Sequence, residues 1–235
     1  CPNHAGDQMN GYILKPTNFD PSKRYPVVMT QYSGPGSQSV LDKWTIDWEY
    51  YLVSKGFIVA CVDGRGTGGR SRAYETSVYM QLGKLETEDQ VAGAEYMRTL
   101  PYVDDKHIGI YGWSYGGYET LMAMSTSNGT YQAGVAIAPV TDWRYYDTIY
   151  AERFMRTPNE NNEGYEQSAP ITHAEKLKGD LLIISGTADD NVHYLNTLQY
   201  SAALIEAGIQ FDTQIYTNKD HHIRGCNTRH HLYTK

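Results

Sequence analysis

The segment Gly112-Trp113-Ser114-Tyr115-Gly116 places a serine between two glycines in the pattern G-x-S-x-G. An apolar, strand-like run precedes it at residues 107–111 and a helix-like segment follows it, which is the context that a nucleophile elbow requires. Glycines fit such a turn because a Cβ atom at either position would collide with neighbouring backbone. The alternative, a tight turn with an incidental serine, is disfavoured by this context. The sequence therefore predicts that Ser114 is an exposed nucleophile.

A serine hydroxyl is a weak nucleophile at neutral pH and needs a general base, which in turn needs an orienting acid. In folds built around this elbow, the acid and then the histidine follow the serine along the chain. Asp189 follows one late apolar run of the sequence, and His221 follows the next. The adjacent residues Asp190 and His222 leave both assignments open on the residues alone. The pattern predicts a Ser-Asp-His arrangement for acyl transfer.

The elements that must position these residues alternate between strand and helix from about residue 25 onward. Strands are predicted over residues 25–32, 57–62, 107–111, 133–137, 181–184 and 211–216. Helices are predicted over residues 44–55, 87–100 with Thr87 as N-cap, 118–125, the end of an aromatic segment at 139–155, 194–207, and from 228. Residues 157–167 are polar and predict a loop. The alternation predicts an α/β fold with a mostly parallel sheet, helices on both faces, and chemistry at the carboxyl ends of the strands.

Composition excludes several other classes of protein. The 235 residues carry a net charge of −7, so no basic face indicates a nucleic-acid partner. No apolar run approaches the roughly 18 residues that a membrane-spanning helix needs. Tyrosines are numerous and spread along the chain, which argues against disorder. Three cysteines without CxxC spacing exclude a disulfide scaffold, although they leave room for one bridge.

Two further patterns imitate cofactor sites. The segment Gly64-Arg-Gly-Thr-Gly-Gly69 matches G-x-G-x-x-G, but no apolar helical face follows it, as a dinucleotide site requires. Arg65 and Arg70 are interpreted as ordinary loop charges. A group of possible metal ligands near the end of the chain fits no zinc spacing: His221, His222, Cys226, His230 and His231. We therefore expect neither a cofactor nor a metal.

Several segments together resemble the catalytic domain of the dipeptidyl peptidase IV family of serine peptidases, in the prolyl oligopeptidase group of α/β-hydrolases. They are residues 32–38 (YSGPGSQ), 62–66 (VDGRG), 112–118 (GWSYGGY), 138–140 (APV), 143–147 (WRYYD), 150–153 (YAER) and 186–193 (GTADDNVH). The resemblance covers nearly the whole chain. It implies that residues 1–235 form one α/β-hydrolase domain, without the N-terminal β-propeller that family members carry.

The resemblance implies a role for each matching catalytic residue. Ser114 is the expected nucleophile, Asp189 rather than Asp190 the expected acid, and His221 the expected base. The oxyanion hole is expected to combine the backbone N–H of Tyr115 with the hydroxyl of Tyr32. The family usually has glycine after the catalytic histidine, whereas this chain has His222.

The resemblance also implies a pocket for a proline ring. Its expected members are Val140, Trp143, Tyr146, Tyr150 and Val192, and Asn191 is expected to bind the substrate carbonyl before the scissile bond. Tyr146 and Tyr150 are four residues apart, which predicts that they share one helical face. Aromatic walls suit a flat apolar ring. Without the resemblance, ordinary core packing is the competing interpretation.

The expected function is release of N-terminal dipeptides with proline or alanine in second position, through an acyl-enzyme. The alternatives are a prolyl tripeptidyl peptidase, an esterase and a catalytically silent binding protein. The resemblance further implies peptide substrates, a homodimer in the intact protein, and export from the cytoplasm. Because the family's propeller holds the substrate amine, we expect the domain alone to be weak or inactive.

Overall fold

The structure is a computed structural model that describes residues 1–235. It contains seven β-strands and eight α-helices. The strands are β1 (Asn10–Leu14), β2 (Tyr25–Thr30), β3 (Ile58–Asp63), β4 (Val103–Trp113), β5 (Ala133–Ile137), β6 (Asp180–Gly186) and β7 (Asp212–Tyr216). The helices are α1 (Glu49–Ser54), α2 (Arg72–Thr76), α3 (Lys84–Arg98), α4 (Tyr115–Thr126), α5 (Thr148–Met155), α6 (Asn162–Gln167), α7 (Leu195–Glu206) and α8 (Thr228–Thr234). Two 3-10 helices cover Trp143–Tyr145 and Pro170–Lys176.

All seven strands form one sheet in the order β1-β3-β2-β4-β5-β6-β7. Only β1 runs antiparallel, against β3, and the other neighbouring pairs are parallel. The carboxyl ends of β2, β4, β6 and β7 therefore lie along one edge of the sheet. The predicted mostly parallel α/β sheet is confirmed.

The apolar side chains of the sheet alternate between two faces, as the period of a strand requires. On one face Ile110, Ala136 and Ile183 belong to a core that includes buried residues of α3, α4 and α7. On the other face, Ile137 and Ile184 pack in a smaller core with residues of α8. Helices thus cover both faces of the sheet. None of these helices combines the length and apolar character needed to cross a membrane.

Two local predictions are wrong and one strand is missing from the predictions, each for a physical reason. Thr87 is not an N-cap: α3 begins three residues earlier, after Gly83 in a left-handed conformation, and the Thr87 hydroxyl donates to the Gly83 carbonyl at 2.6 Å. Part of the predicted loop at residues 157–167 forms α6, because the Asn161 side chain caps that polar helix by accepting from the Gly164 N–H. Strand β1 was not predicted, since this edge strand carries mixed exposure rather than a regular alternation.

The glycine-rich loop after β3 is anchored to α3 by Arg65, which is more than an ordinary loop charge. Its guanidinium donates to both carboxylate oxygens of the buried Asp89, at distances down to 2.7 Å, and also to Glu88. Gly64 lets the loop approach, because a Cβ there would lie 2.6 Å from the Asp89 Cβ. Bidentate arginine–carboxylate pairs are among the stronger polar contacts in proteins. The loop is therefore held firmly against the helix.

Candidate active site

Ser114 lies at a sharp turn between β4 and α4. It adopts φ +60° and ψ −116°, a conformation that residues with a side chain rarely take. A Cβ on Gly112 would lie 2.2 Å from the Gly116 carbonyl oxygen, so glycine is required where the strand passes under the helix. The Ser114 N–H donates to the Ile137 carbonyl at 2.8 Å. These contacts fix the backbone of the turn and leave the serine side chain partly exposed.

Asp189 and His221 meet beyond the ends of β6 and β7. The imidazole Nδ1 lies 2.7 Å from Asp189 Oδ2, and both side chains are buried. The other carboxylate oxygen, Oδ1, accepts from the backbone N–H groups of Asn191 and Val192, each at 2.9 Å. Because both oxygens are bound, the carboxyl plane is fixed. A proton held on Nδ1 by this contact leaves Nε2 free to accept another.

The loops that carry these two residues are packed backbone to backbone. The Thr187 and Ala188 N–H groups donate to the carbonyls of Tyr216 and Lys219, each at 3.0 Å. A Cβ on Gly186 would lie 2.2 Å from the Lys219 carbonyl oxygen. The acid and the base therefore sit on one rigid unit at the edge of the sheet.

The residues next to this pair differ from it in environment. Asp190 is exposed, whereas Asp189 is buried, so the structure distinguishes the two carboxyls. His222 is also exposed, and its ring lies edge-on to that of His221 with centroids 5.7 Å apart. No three His, Cys, Asp or Glu side chains are grouped so as to hold a metal ion.

Two donors lie close to the serine. Tyr115 directly follows Ser114, so its backbone N–H lies at the first turn of α4. The Tyr32 ring lies two residues beyond β2, 6.1 Å from the Tyr115 ring, and is 40% exposed. Burial raises the pKa of the Tyr32 phenol, and the neighbouring Ser114 hydroxyl lowers it in part. The phenol therefore keeps its proton at neutral pH and can act as a donor.

All of the predicted pocket residues that are apolar or aromatic belong to one cluster beside the elbow. Its members include Tyr115, Val140, Trp143 and Val192 in the buried part, with Tyr146 and Tyr150 packed against them. The Trp143 and Tyr150 rings are stacked at 5.7 Å, and the Tyr146 and Tyr150 rings meet edge-on at 5.3 Å. The Tyr146 hydroxyl donates to Asn191 Oδ1 at 2.7 Å. Four of these residues, from Val140 to Tyr150, come from the connection between β5 and β6.

Tyr146 and Tyr150 do not share a helical face, contrary to the prediction. Tyr146 is extended (φ −108°, ψ 171°) after a 3-10 helix, and α5 begins only at Thr148. Asp147 caps that helix by accepting from the Tyr150 N–H at 2.8 Å. The two rings still meet because the chain bends between them.

Comparison with known proteins identifies the family. A model of the prolyl oligopeptidase family, which is a family of serine peptidases, matches residues 44–235. The chain belongs to the prolyl oligopeptidase family. It is 42% identical over 226 residues to dipeptidyl peptidase 4 of Sus scrofa, an alignment that covers 94% of this chain and 30% of that protein. A probable dipeptidyl-aminopeptidase B of Talaromyces marneffei is 46% identical over 226 residues, covering 94% of this chain and 25% of that protein.

A solved structure gives the same relationship. The crystal structure of Porphyromonas gingivalis dipeptidyl peptidase 4 matches this prolyl oligopeptidase family member with a TM-score of 0.97 and 56% identity. The match covers 99% of this chain and 33% of that one. The predicted family and α/β-hydrolase fold are confirmed. The chain spans about a third of the length of the relatives that it matches, or less.

Two contacts of this prolyl oligopeptidase family member were not predicted from its sequence. The indole Nε1 of Trp113 donates to the His221 carbonyl at 2.9 Å, which links the elbow to the histidine loop. The Tyr115 hydroxyl donates to the buried Glu86 at 2.7 Å. The only sequence signal for the first is that Trp113 directly precedes the serine. Nothing in the sequence signals the second.

Glu86 belongs to a group of buried acids behind the elbow. Burial raises its pKa from 4.5 to about 7, while hydrogen bonds from Tyr115 and from backbone oppose that change. Burial also raises the pKa of Glu119 well above its usual range, and the charge of Glu86 adds to the effect. One oxygen of each carboxyl has no hydrogen-bond partner. Burial thus shifts both groups towards the protonated form.

Proposed function

We propose that this chain is the catalytic domain of a serine exopeptidase that releases N-terminal dipeptides with proline, or alanine, in second position. The observation that carries the proposal is the buried 2.7 Å contact between Asp189 and His221, at the same sheet edge as the strained Ser114 turn. An acid that orients a histidine beside an exposed serine is the arrangement that activates a hydroxyl.

In the proposed mechanism, the Ser114 Oγ attacks the scissile carbonyl as His221 Nε2 takes its proton. The oxyanion that forms accepts from the Tyr32 hydroxyl and the Tyr115 N–H. His221 then gives the proton to the leaving amine, and the C–N bond breaks to leave an ester on Ser114. Water, deprotonated by His221, attacks that ester, and His221 returns the proton to Ser114 Oγ as the acyl–oxygen bond breaks and the dipeptide leaves. Asp189 holds the imidazole and stabilises its charged form throughout.

The aromatic cluster supports the choice of proline. A proline ring is flat and apolar, and the stacked Trp143 and Tyr150 rings with the edge-on Tyr146 ring offer apolar walls beside the serine. Asn191 accepts from Tyr146 through Oδ1, so its amide N–H₂ stays available to bind a substrate carbonyl. The similarity to proteins named dipeptidyl peptidase and dipeptidyl-aminopeptidase supports release of two residues at a time.

Three features of the intact protein are also proposed. We propose that the group that binds the substrate amine lies outside these 235 residues, in keeping with the greater length of the relatives. We propose a homodimer, because α7 presents an exposed apolar stripe of Leu195, Leu198 and Ile205. We propose export from the cytoplasm, as the resemblance to the family implies. Sedimentation of the intact protein and cell fractionation test the last two.

The function is tested with glycyl-prolyl p-nitroanilide, with its amino terminus either free or acetylated, and with a fluorophosphonate probe. The parent chain is compared with Ser114→Ala. We expect the probe to label the parent but not Ser114→Ala, and we expect slow cleavage that does not distinguish the two substrates. Cleavage of only the free form would place the amine-binding group inside these residues.

The remaining outcomes separate the alternative functions. Turnover of esters without any anilide would favour an esterase, and preference of the intact protein for Ala-Ala-Pro over Gly-Pro anilides would favour tripeptidyl release. A parent chain that the fluorophosphonate does not label would indicate a silent binding protein. Full activity in Ser114→Ala would refute the mechanism.

A further inference from the structure

Glu86 is a buried carboxyl that the mechanism above does not use. It is the third residue of α3 and is 1% exposed. Its Oε1 accepts from the Tyr115 hydroxyl at 2.7 Å, and its Oε2 has no hydrogen-bond partner. Carboxyls are rarely buried so completely unless they are paired. Glu86 has no cationic partner within salt-bridge distance, so its hydrogen bond with the Tyr115 hydroxyl is the feature to explain.

Tyr115 is the residue through which this contact reaches the active site. Its backbone N–H is a proposed oxyanion donor, and its ring packs against the Tyr118 and Trp143 rings, with centroids 5.1 and 5.4 Å away. The ring belongs to the same buried cluster as Val140, Trp143 and Val192, so we assign it to the wall of the proposed pocket. It is held at one end by the backbone of the elbow and at the other by Glu86.

The Glu86 contact fixes the ring from outside the elbow. Helix α3, which carries the acceptor, is also joined to the loop after β3 by the Arg65–Asp89 pair. Close packing already restricts this buried ring, and the hydrogen bond at its hydroxyl additionally fixes the position of the ring tip. A shift in the first residue of α4 would move the donor relative to the oxyanion, and small displacements of positioned groups can reduce rates by about 10²-fold.

We propose that Glu86 is a positioning residue of the active site. Through the Tyr115 hydroxyl it fixes the pocket wall and the oxyanion donor that belong to the same residue. The inference rests on the proposed function, because it assigns those two roles to Tyr115. The hydrogen bond needs an acceptor rather than a charge, so we expect a glutamine at position 86 to fulfil the same role as the glutamate.

The test compares three variants: Glu86→Leu, Glu86→Gln and Tyr115→Phe. The readouts are kcat and KM for the glycyl-prolyl anilide, normalised to fluorophosphonate-titrated sites in the intact protein or in this chain. Glu86→Leu should lower kcat about 10- to 100-fold and raise KM several-fold, because both the donor and the pocket wall are displaced. Tyr115→Phe should have the same effects, whereas kcat and KM of Glu86→Gln should stay within about threefold of the parent values. The double variant Glu86→Leu/Tyr115→Phe should be no less active than either single variant.

Several outcomes would overturn the proposal. Variants that lose stability but keep the parent's kcat and KM per titrated site would show a purely structural role. Additive losses in the double variant would show that Glu86 does not act through Tyr115. If Glu86→Leu fails to fold, Tyr115→Phe removes the same bond with a smaller change.

A structural readout separates this inference from the proposed function. If the parent is not labelled by the fluorophosphonate, the proposed function fails. Crystal structures of the parent and Tyr115→Phe then still decide the positioning inference. A ring that keeps its place without the hydroxyl refutes it, and a displaced ring with an otherwise intact α4 supports it.

Discussion

Replacing Glu86 with glutamine should change how stability depends on pH. The pKa of this carboxyl is raised by burial from 4.5 to about 7 in the folded protein. The folded state therefore holds a proton that the unfolded state releases between these two values. The stabilisation that goes with the proton is fully present below pH 4.5 and is lost as the pH rises through 7. Glutamine has no proton to lose, so Glu86→Gln should lack this part of the pH dependence.

The size of the effect follows from the two pKa values. At about 1.36 kcal/mol per pKa unit, the difference corresponds to about 3 kcal/mol, of which about 2.5 kcal/mol falls between pH 5 and pH 8. Glu119 should add to the effect in the same direction, because the charge of Glu86 contributes to raising its pKa. Between pH 5 and pH 8, the free energy of unfolding of the parent should therefore fall by at least about 2.5 kcal/mol more than that of Glu86→Gln.

Urea unfolding of the parent and of Glu86→Gln at both pH values measures the difference. Glu206→Gln is the matched control, since Glu206 is an exposed glutamate at the end of α7. Its pH dependence should follow that of the parent. If the curves for Glu86→Gln and the parent also run parallel from pH 5 to pH 8, the reasoning about the buried carboxyl is refuted.

Three further predictions concern the proposed catalytic groups and the elbow. Asp189→Asn should lower kcat by about 10⁴-fold with little change in KM, because the amide no longer orients and stabilises the His221 ring; steady-state kinetics showing under tenfold loss would contradict this role. Tyr32→Phe should lower kcat about 10²- to 10³-fold at similar KM, as expected for one lost oxyanion donor, and an effect confined to KM would argue for substrate binding instead. Gly112→Ala should destabilise the fold by more than about 3 kcal/mol in thermal unfolding, because its Cβ would lie 2.2 Å from the Gly116 carbonyl oxygen; an unchanged melting temperature would show that the elbow can relax.

Much of the central sheet could be predicted from the sequence because its strands are continuous apolar runs bounded by turn residues. The predicted range 133–137 coincides with β5, and the run at 57–62 differs from β3 by one residue at each end. Strand β3 is buried along its whole length, so composition alone marks it. The position of Ser114 between strand and helix follows from the same pattern.

Helix α3 shows why other parts could not be predicted. Its buried face includes Glu86, Thr87, Asp89 and Gln90, so the usual correspondence between polarity and exposure is reversed. The hydrogen-bond partners of these side chains include residues distant in sequence, such as Arg65 and Tyr115. A periodicity argument therefore assigns them to solvent, and only the tertiary structure shows the buried acids.

Parts of the candidate site also could not be predicted from the residues alone. The separation of Asp189 from Asp190 depends on which one turns inward over the strand end, and two adjacent carboxyls look alike in sequence. Family resemblance selected Asp189, whereas the residues alone left both open. Likewise, the meeting of Tyr146 and Tyr150 depends on a bend at Asp147 that no helical spacing describes.

The connection between β5 and β6 has a consequence for how such enzymes can diversify. It supplies Val140, Trp143, Tyr146 and Tyr150, while the proposed nucleophile, acid and base come from three other connections. Mutations in this one stretch can therefore reshape the proposed pocket without changing the residues proposed to react. Most of the proposed pocket is thus carried on a piece of chain separate from the three groups proposed to react, so exchanging residues 138–155 between relatives should alter the proposed preference for the residue before the cleaved bond.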